Sequence, residues 1–197
     1  MSAVLTKRPK KLDSLLESEL QKYREVWGNP EYRIANQGLE LWTRARSVFG
    51  NPKTALDIGC GNGRLFALWN ANGIDGYGVD FAGNALDANH PNRENFSLQC
   101  LWAMQFDRRF ELGVCADVME HIPPERVDDV LRCIVACCDV TVFEIANYPS
   151  HYGDLHLSLH DADWWLAKLS EYGKAELLPV SRPGVTEYVF RLTANHV

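Results

Sequence analysis

The chain has 197 residues and a net charge of −6, from 20 basic and 26 acidic side chains. Hydrophobic residues make up 46% and charged residues 23%, a composition typical of one folded domain with a buried core. Because sequence-independent binding to nucleic acid depends on lysine and arginine, the acidic balance disfavours a nucleic-acid partner. No segment has the length and apolarity of a signal peptide or a membrane span, so we expect a cytoplasmic protein with no membrane partner.

Two helices are predicted at the start of the chain. Apolar residues recur at helical spacing from Leu12 to Trp27, and the breaker run that begins at Gly28 ends this helix. A second helix is predicted from about Gly38 to Phe49. The six cysteines form no Cys-x-x-Cys pair and lie mostly in apolar runs, which predicts buried, reduced thiols rather than disulfides or zinc ligands.

From Thr54 onwards, short apolar strands alternate with helices, which predicts βαβ units and a parallel sheet covered on both faces. The predicted strands are Thr54–Ile58, Gly76–Asp80, Phe96–Cys100, Leu112–Ala116 and Val140–Ile145. The predicted helices are Arg64–Asn72, Ala82–Ala88, Pro124–Cys138 and Ala162–Tyr172. Two last strands, Glu176–Val180 and Thr186–Leu192, are too close in sequence for a parallel crossover and should pair antiparallel.

A glycine-rich turn, Asp57-Ile58-Gly59-Cys60-Gly61-Asn62-Gly63, follows the first strand and precedes a helix. Glycine allows unusual backbone conformations and lets a ligand approach the bare backbone, so this turn predicts a ligand crevice. A dinucleotide fingerprint would need a small residue at position 64, where Arg64 stands. The spacing therefore disfavours a nicotinamide oxidoreductase and fits the pattern acid-x-Gly-x-Gly-x-Gly.

The segment Leu56–Gly63 resembles motif I of the class I S-adenosylmethionine-dependent methyltransferases. The resemblance implies a Rossmann-like α/β fold, with a mostly parallel seven-stranded sheet, an antiparallel C-terminal hairpin and N-terminal helices. It implies S-adenosylmethionine as the cofactor, with Asp57 supporting the turn and the backbone of Gly59, Cys60, Gly61 and Gly63 lining the methionine part. Residues 1–52 then form a cofactor lid or packing arm, and residues 53–197 form the methyltransferase domain. Over most of its length the chain also resembles small methyltransferases of bacteriophage genomes.

The second strand ends in an acid that fits the same cofactor. The carboxylate of Asp80 can accept two hydrogen bonds from a ribose diol; capping of the next helix is the alternative, and both roles are compatible. Phe81 is expected to lie against the adenine. Related methyltransferases often carry an acid after the third strand, where this chain has Cys100. Adenine recognition should therefore use backbone groups and Trp102, for which core packing is an equal alternative.

The loop after the fourth strand, Asp117-Val118-Met119-Glu120-His121-Ile122-Pro123-Pro124, resembles the segment that lines the channel between sulfonium and acceptor in small-molecule methyltransferases. We therefore assign Asp117 to the cofactor. Arg33, in a segment that folds over the cofactor in related enzymes, is expected to meet the cofactor carboxylate. The motifs of DNA amino-methyltransferases and cytosine C5-methyltransferases do not occur in this loop.

Four histidines fall at the carboxyl ends of the strands, where an α/β sheet binds ligands: His121, His151, His156 and His160. We choose His121 and His156 as the base or the acceptor-orienting groups, with a structural hydrogen-bonding role as the alternative. On a helix, His156 and His160 would stand at metal-ligand spacing. The alternating leucines around them indicate an extended segment, so no metal site is predicted.

These features predict transfer of a methyl group to oxygen or nitrogen of a small-molecule or sugar-type acceptor. Two alternatives stay open: methylation of a nucleic-acid or protein group, and a non-catalytic module that binds S-adenosylmethionine or a partner. The sequence predicts neither the identity of the acceptor nor the oligomeric state.

Overall fold

Seven strands form one mixed sheet in the computed structural model, which describes residues 10–180 and 187–195. They are β1 (Thr54–Ile58), β2 (Asp75–Asp80), β3 (Phe96–Leu98), β4 (Phe110–Ala116), β5 (Cys138–Ala146), β6 (Gly173–Leu178) and β7 (Glu187–Ala194). The strand order is β3-β2-β1-β4-β5-β7-β6. The first five strands pair in parallel, while β7 runs antiparallel to both β5 and β6. The predicted Rossmann-like fold with its C-terminal hairpin is confirmed.

The α-helices of the described residues are α1 (Lys10–Val26), α2 (Gln37–Arg44), α3 (Arg64–Ala71), α4 (Val127–Cys137) and α5 (Ala162–Ser170). The second predicted helix is shorter than expected, because the chain turns at Ala45 into a 3₁₀ helix, Arg46–Phe49. The last predicted strand began at Thr186, which lies outside the described residues. None of the helices found here has the length and apolarity needed to cross a membrane.

The helix predicted over Ala82–Ala88 was wrong, because the structure has a series of turns there. The guanidinium of Arg33 explains the difference. It donates to the carbonyl oxygens of Asn84 (2.6 Å) and Ala85 (3.2 Å) and pairs with the carboxylate of Asp87 (2.6 Å). Those carbonyls are therefore engaged by a side chain, and the segment is held open beside the end of β2.

Large side chains bury both faces of the sheet. On one face, α5 places Trp165 in a core shared with Phe143 of β5. On the other face, Trp42 of α2 and Trp69 of α3 meet edge to face, with ring centroids 5.4 Å apart. The first helix, α1, instead contacts the turn after β2, so it covers the carboxyl ends of the strands. All six cysteines are free thiols, four of them buried.

An ion pair fastens α2 to the sheet. Arg44 pairs with Glu144 on β5, and the side chain of Glu144 is only 4% exposed. The change Arg44→Ala removes this partner from a buried carboxylate, and breaking a buried pair in this way costs about 3 kcal/mol. We expect a correspondingly lower free energy of unfolding in urea. Arg132→Ala, which removes a surface ion pair with Asp129, is the matched control and should change stability little. Equal losses in the two variants would contradict the role of Glu144.

Candidate cofactor and acceptor site

Left-handed backbone conformations shape the glycine turn after β1. The φ angles are +70° at Gly59, +52° at Gly61 and +78° at Gly63. A Cβ atom at Gly59 would lie 2.5 Å from a methyl group of Val118, and one at Gly61 would lie 2.5 Å from the ring of Trp27. Only glycine satisfies both the backbone angle and the close approach at these two positions. Gly63 differs, since it is the N-cap of α3 and lines neither of the cavities described below.

The carboxylate of Asp80 braces the glycine turn from the end of β2. Its two oxygens accept hydrogen bonds from the backbone N–H of Gly61 (3.0 Å) and of Ala82 (2.9 Å). Burial raises the pKa of Asp80, and these hydrogen bonds partly offset the effect. Each carboxylate oxygen has two lone pairs, so both can accept a further hydrogen bond. No helix follows Asp80 for it to cap, so the hydrogen bond with Ala82 holds the turn after β2 instead, and it leaves Asp80 able to bind a diol.

Asp57 leaves a buried oxygen without a partner. Its side chain is 4% exposed, and its Oδ2 atom accepts no hydrogen bond from any described residue. Burial, followed by the charge of Asp80, raises the pKa of Asp57 to about 8. A buried carboxyl oxygen of this kind is costly unless a donor reaches it. The α-ammonium group of a methionine-containing cofactor would supply such a donor, so the residues present fit S-adenosylmethionine.

Two cavities meet beside the turn. The first lies under α1 and is lined by residues that include Tyr23, Asp80, Phe81, Cys100 and Trp102. The second lies under the segment after β5 and is lined by residues that include Asp57, Gly61, Tyr148, Ser150, His151 and His156. Both cavities are lined by Trp27, Tyr32, Gly59, Asp117 and His121. Phe81 and Trp102 thus lie in the first cavity, on the side where adenine contacts were predicted.

Aromatic side chains cover the junction of the cavities. The ring of Tyr32 contacts Trp27 edge to face, with centroids 4.9 Å apart, and contacts Tyr152 in the same way at 5.2 Å. Trp27 follows α1, whereas Tyr152 follows β5. The N-terminal segment and the segment after β5 therefore meet over the site and restrict access to it.

Arg33 lines neither cavity. Besides its contacts with the turn after β2, its guanidinium donates to the carbonyl oxygen of Trp27 at 3.1 Å. The structure thus gives Arg33 a positioning role, holding the N-terminal segment against the turn after β2, in place of the predicted contact with the cofactor carboxylate. Cys60 lines the second cavity, but its thiol is buried and points towards Gly78 of β2.

The loop after β4 brings buried polar side chains to the junction. Asp117 is the one non-glycine residue with a positive φ, +59°, in the part of the chain that the structure describes. Such a conformation is uncommon outside glycine and often marks a functional site. Glu120 and His121 follow in a buried 3₁₀ helix, and Glu120 accepts a hydrogen bond from the N–H of Ala146. Burial lowers the pKa of His121 to about 4, so its ring is neutral at pH 7.

The predicted pair His121 and His156 does come together. Their rings meet edge to face, with centroids 4.6 Å apart, and the Nδ1 atom of His156 lies 2.5 Å from the carbonyl oxygen of Tyr148. The segment that carries His156 forms neither a helix nor a strand, and His160 instead stacks on Trp164 with ring centroids 3.6 Å apart. The sequence analysis did not predict a role for Glu120, which lies beside the two histidines in the structure. The only feature of the sequence that indicated such a role was its position next to His121.

Comparison with known proteins identifies the family. A family model described as "Methyltransferase domain" matches residues 26–177, and the chain belongs to this family as a class I S-adenosylmethionine-dependent methyltransferase. Its cofactor is S-adenosylmethionine. The family assignment therefore supports the catalytic prediction over the non-catalytic alternative.

Several known proteins are similar to this chain in sequence or in structure. The ubiquinone biosynthesis O-methyltransferase of Coxiella burnetii is 27% identical over 126 residues, which cover 56% of this chain; the chain spans about half (54%) of that relative. The structure of 1,6-didemethyltoxoflavin-N1-methyltransferase of Burkholderia thailandensis, with its substrate and S-adenosylhomocysteine bound, is 18% identical, with a TM-score of 0.62 and coverage of 100% of this chain and 94% of that one. The DhpI complex with S-adenosylhomocysteine is 16% identical, with a TM-score of 0.66 and coverage of 92% and 98%.

Proposed function

We propose that the protein methylates an oxygen or nitrogen atom of a small-molecule acceptor, of a polar or sugar-like kind. The observation that carries the proposal is the second cavity, which adjoins the glycine turn and is covered by the contact of Tyr32 with Tyr152. A covered cavity of this kind suits a small ligand that is enclosed on binding. The net charge of −6 disfavours a nucleic-acid acceptor.

In this proposal the cofactor extends across both cavities, and the acceptor binds in the second one. S-adenosylmethionine supplies an electrophilic methyl group on a positively charged sulfur. In this proposal Asp80 binds the ribose in the first cavity, and Asp57 binds the ammonium group in the second. The shared lining at Gly59, Asp117 and His121 then marks the position of the reacting methyl. The chain contributes mainly by aligning donor and acceptor across this junction, which can supply a large part of the rate.

The acceptor side is rich in hydrogen-bonding groups. Tyr148, Ser150, His151 and His156 line the second cavity beyond the junction, and such groups fix the orientation of a polar ligand. His121 and His156 are the proposed acceptor-orienting groups, because they stand between this lining and the glycine turn. Two of the relatives reported above are named as methyltransferases of small molecules, one acting at oxygen and one at nitrogen, which supports an acceptor of this class.

A labelling experiment tests the class of acceptor. The purified protein is incubated with S-adenosylmethionine labelled in its methyl group and with a cell extract separated by ultrafiltration into low-mass and macromolecular fractions. We expect label to be transferred only in the low-mass fraction and to be lost with the Asp80→Ala variant. Transfer to the RNA, DNA or protein of the macromolecular fraction would contradict the proposal.

A further inference from the structure

Four side chains with metal-ligating atoms converge at the junction of the cavities. They are Asp117, Glu120, His121 and His156, and each offers one ligand atom within 4.8 Å of all the others. Ligands on opposite sides of a cation, each bound at about 2.1 Å, lie about 4.2 Å apart. The limit of 4.8 Å exceeds this distance by about 0.6 Å, so small shifts of the side chains would bring all four atoms to a single cation.

Three buried polar atoms in this cluster make no well-formed hydrogen bond to any described residue. They are Oε2 of Glu120, whose carboxyl group lies against that of Asp117, and both ring nitrogens of His121. The Glu120 side chain is fully buried, and that of His121 is nine-tenths buried. Unsatisfied buried polar atoms are rare in folded proteins, and a concentration of them calls for a missing ligand.

The charge of the cluster points to a cation. Asp117 and Glu120 bring two carboxyl groups to one partly enclosed site, and neither forms an ion pair with any residue in the two described ranges. A bound cation would bridge the two carboxyl groups and offset the cost of holding them together in a buried site.

The surrounding hydrogen bonds orient the ligand atoms. Nδ1 of His156 faces the carbonyl oxygen of Tyr148 at 2.5 Å, so it carries the proton and leaves the Nε2 lone pair free. Histidines that bind metals commonly use their other nitrogen in this way. One oxygen of Glu120 accepts from the N–H of Ala146, while the carbonyl of Glu120 accepts from the N–H of Leu157 at 2.6 Å. The segment that carries His156 is therefore fixed to the loop that carries the other ligands.

We propose that Asp117, Glu120, His121 and His156 bind a divalent first-row transition cation at the junction of the cofactor and acceptor cavities. Two imidazole and two carboxylate ligands suit Mn²⁺, Fe²⁺ or Zn²⁺. This proposal differs from the sequence analysis, which predicted no metal site because it considered only His156 and His160 as a pair of ligands.

The position of the site gives the cation a role in the reaction, and His121 and His156 then orient the acceptor through the cation. This role rests on the proposed function, whereas cation binding does not. A cation with open coordination positions lowers the pKa of a hydroxyl group bound to it. The acceptor hydroxyl then loses its proton to solvent, and its oxygen forms the new bond to the methyl carbon. The methyl–sulfur bond breaks with its electron pair left on sulfur. The acceptor class favoured by this site is therefore a hydroxyl compound that chelates a divalent cation.

Manganese binding tests the site directly. The chain is stripped of metal with a chelator and titrated with MnCl₂, and the signal of free Mn²⁺ is followed by electron paramagnetic resonance, without any cofactor present. We expect one Mn²⁺ per chain. The variants Glu120→Gln and His156→Phe should lower the affinity about tenfold or more, the size of effect seen even for outer-shell changes. The matched control His160→Phe, in the same segment but outside the cluster, should leave it unchanged.

A second measurement separates the cation site from the methyltransferase function and from unfolding. Binding of S-adenosylhomocysteine and the circular dichroism melting curve are recorded for the same four proteins. Retained folding and cofactor binding, with lost Mn²⁺ binding in the two cluster variants, would support the proposal. Wild-type protein that binds S-adenosylhomocysteine but no Mn²⁺ would overturn it and leave the proposed function standing. Equal Mn²⁺ affinity in wild type and both cluster variants would also overturn it.

Discussion

Replacing Asp80 by alanine is expected to weaken the binding of S-adenosylmethionine and S-adenosylhomocysteine by about 100-fold or more. Two hydrogen bonds from a ribose diol to a carboxylate contribute about 1.5–3 kcal/mol each, and each 1.4 kcal/mol is tenfold in affinity. The same carboxylate accepts from the N–H of Gly61, so its loss also loosens the glycine turn. Isothermal titration calorimetry with S-adenosylhomocysteine measures the effect.

The matched control for this change is Asp75→Ala. Asp75 lies at the opposite end of the same strand, where its half-exposed carboxylate pairs with Arg108 on the surface. Removing it takes away the same charge without touching either cavity, so we expect unchanged affinity. If Asp80→Ala bound S-adenosylhomocysteine as tightly as Asp75→Ala does, Asp80 would not bind the ribose.

Replacing Gly59 by alanine is expected to abolish measurable cofactor binding. The φ angle of +70° disfavours any residue with a Cβ atom, and that atom would also lie 2.5 Å from Val118 Cγ2. Val118 follows Asp117 in the loop that lines both cavities, so the clash displaces the junction itself. The binding of S-adenosylhomocysteine, measured by calorimetry, should fall below detection while the protein stays folded.

Two further variants separate strain from collision. Gly73 has a similar φ angle, +79°, but a Cβ atom at this position would have nothing within 4 Å of it. Gly73→Ala should therefore cost about 1 kcal/mol of stability and leave the affinity unchanged. The double variant Gly59→Ala with Val118→Ala removes the colliding methyl groups and should restore part of the binding. If it restored none and Gly73→Ala lost as much affinity as Gly59→Ala, the close approach of Val118 would not be the cause.

The turn itself was predictable because its determinants are local. The apolar run Thr54–Ile58 was predicted as a strand with the bounds that the structure has. Gly59, Gly61 and Gly63 follow directly, and all three adopt positive φ angles, which glycine accommodates readily. Within this short stretch, the chain conformation is set by neighbouring residues. The local pattern therefore predicted the turn correctly, and the resemblance of Leu56–Gly63 to motif I predicted the fold and the cofactor.

Arg33 shows where such local reasoning fails. Its charge and its place before the first strand suggested a contact with the cofactor carboxylate. Its partners in the structure are Asp87 and two carbonyl oxygens of the segment 82–88, which forms turns instead of the predicted helix. The wrong helix prediction and the unexpected partners of Arg33 therefore arise together, because helix propensity takes no account of a distant side chain that binds the backbone.

The side-chain cluster at the junction depends on tertiary contacts that the spacing of residues in the sequence does not reveal. The backbone N–H groups of Leu157 and Ser158 both donate to the carbonyl oxygen of Glu120, at 2.6 and 2.9 Å. These contacts bring His156 to the loop after β4, although the residues are far apart in sequence. The sequence placed His121 and His156 at the same edge of the sheet, but the participation of Asp117 and Glu120 required the tertiary structure.

Calorimetric titration of the purified chain with S-adenosylmethionine, S-adenosylhomocysteine and NAD tests the assignment of the glycine turn most directly. The arrangement of Asp57, Gly59, Gly61 and Asp80 predicts saturable binding of the first two ligands at one site per chain and no binding of NAD. Tight binding of NAD, with no heat from either S-adenosyl compound, would contradict it.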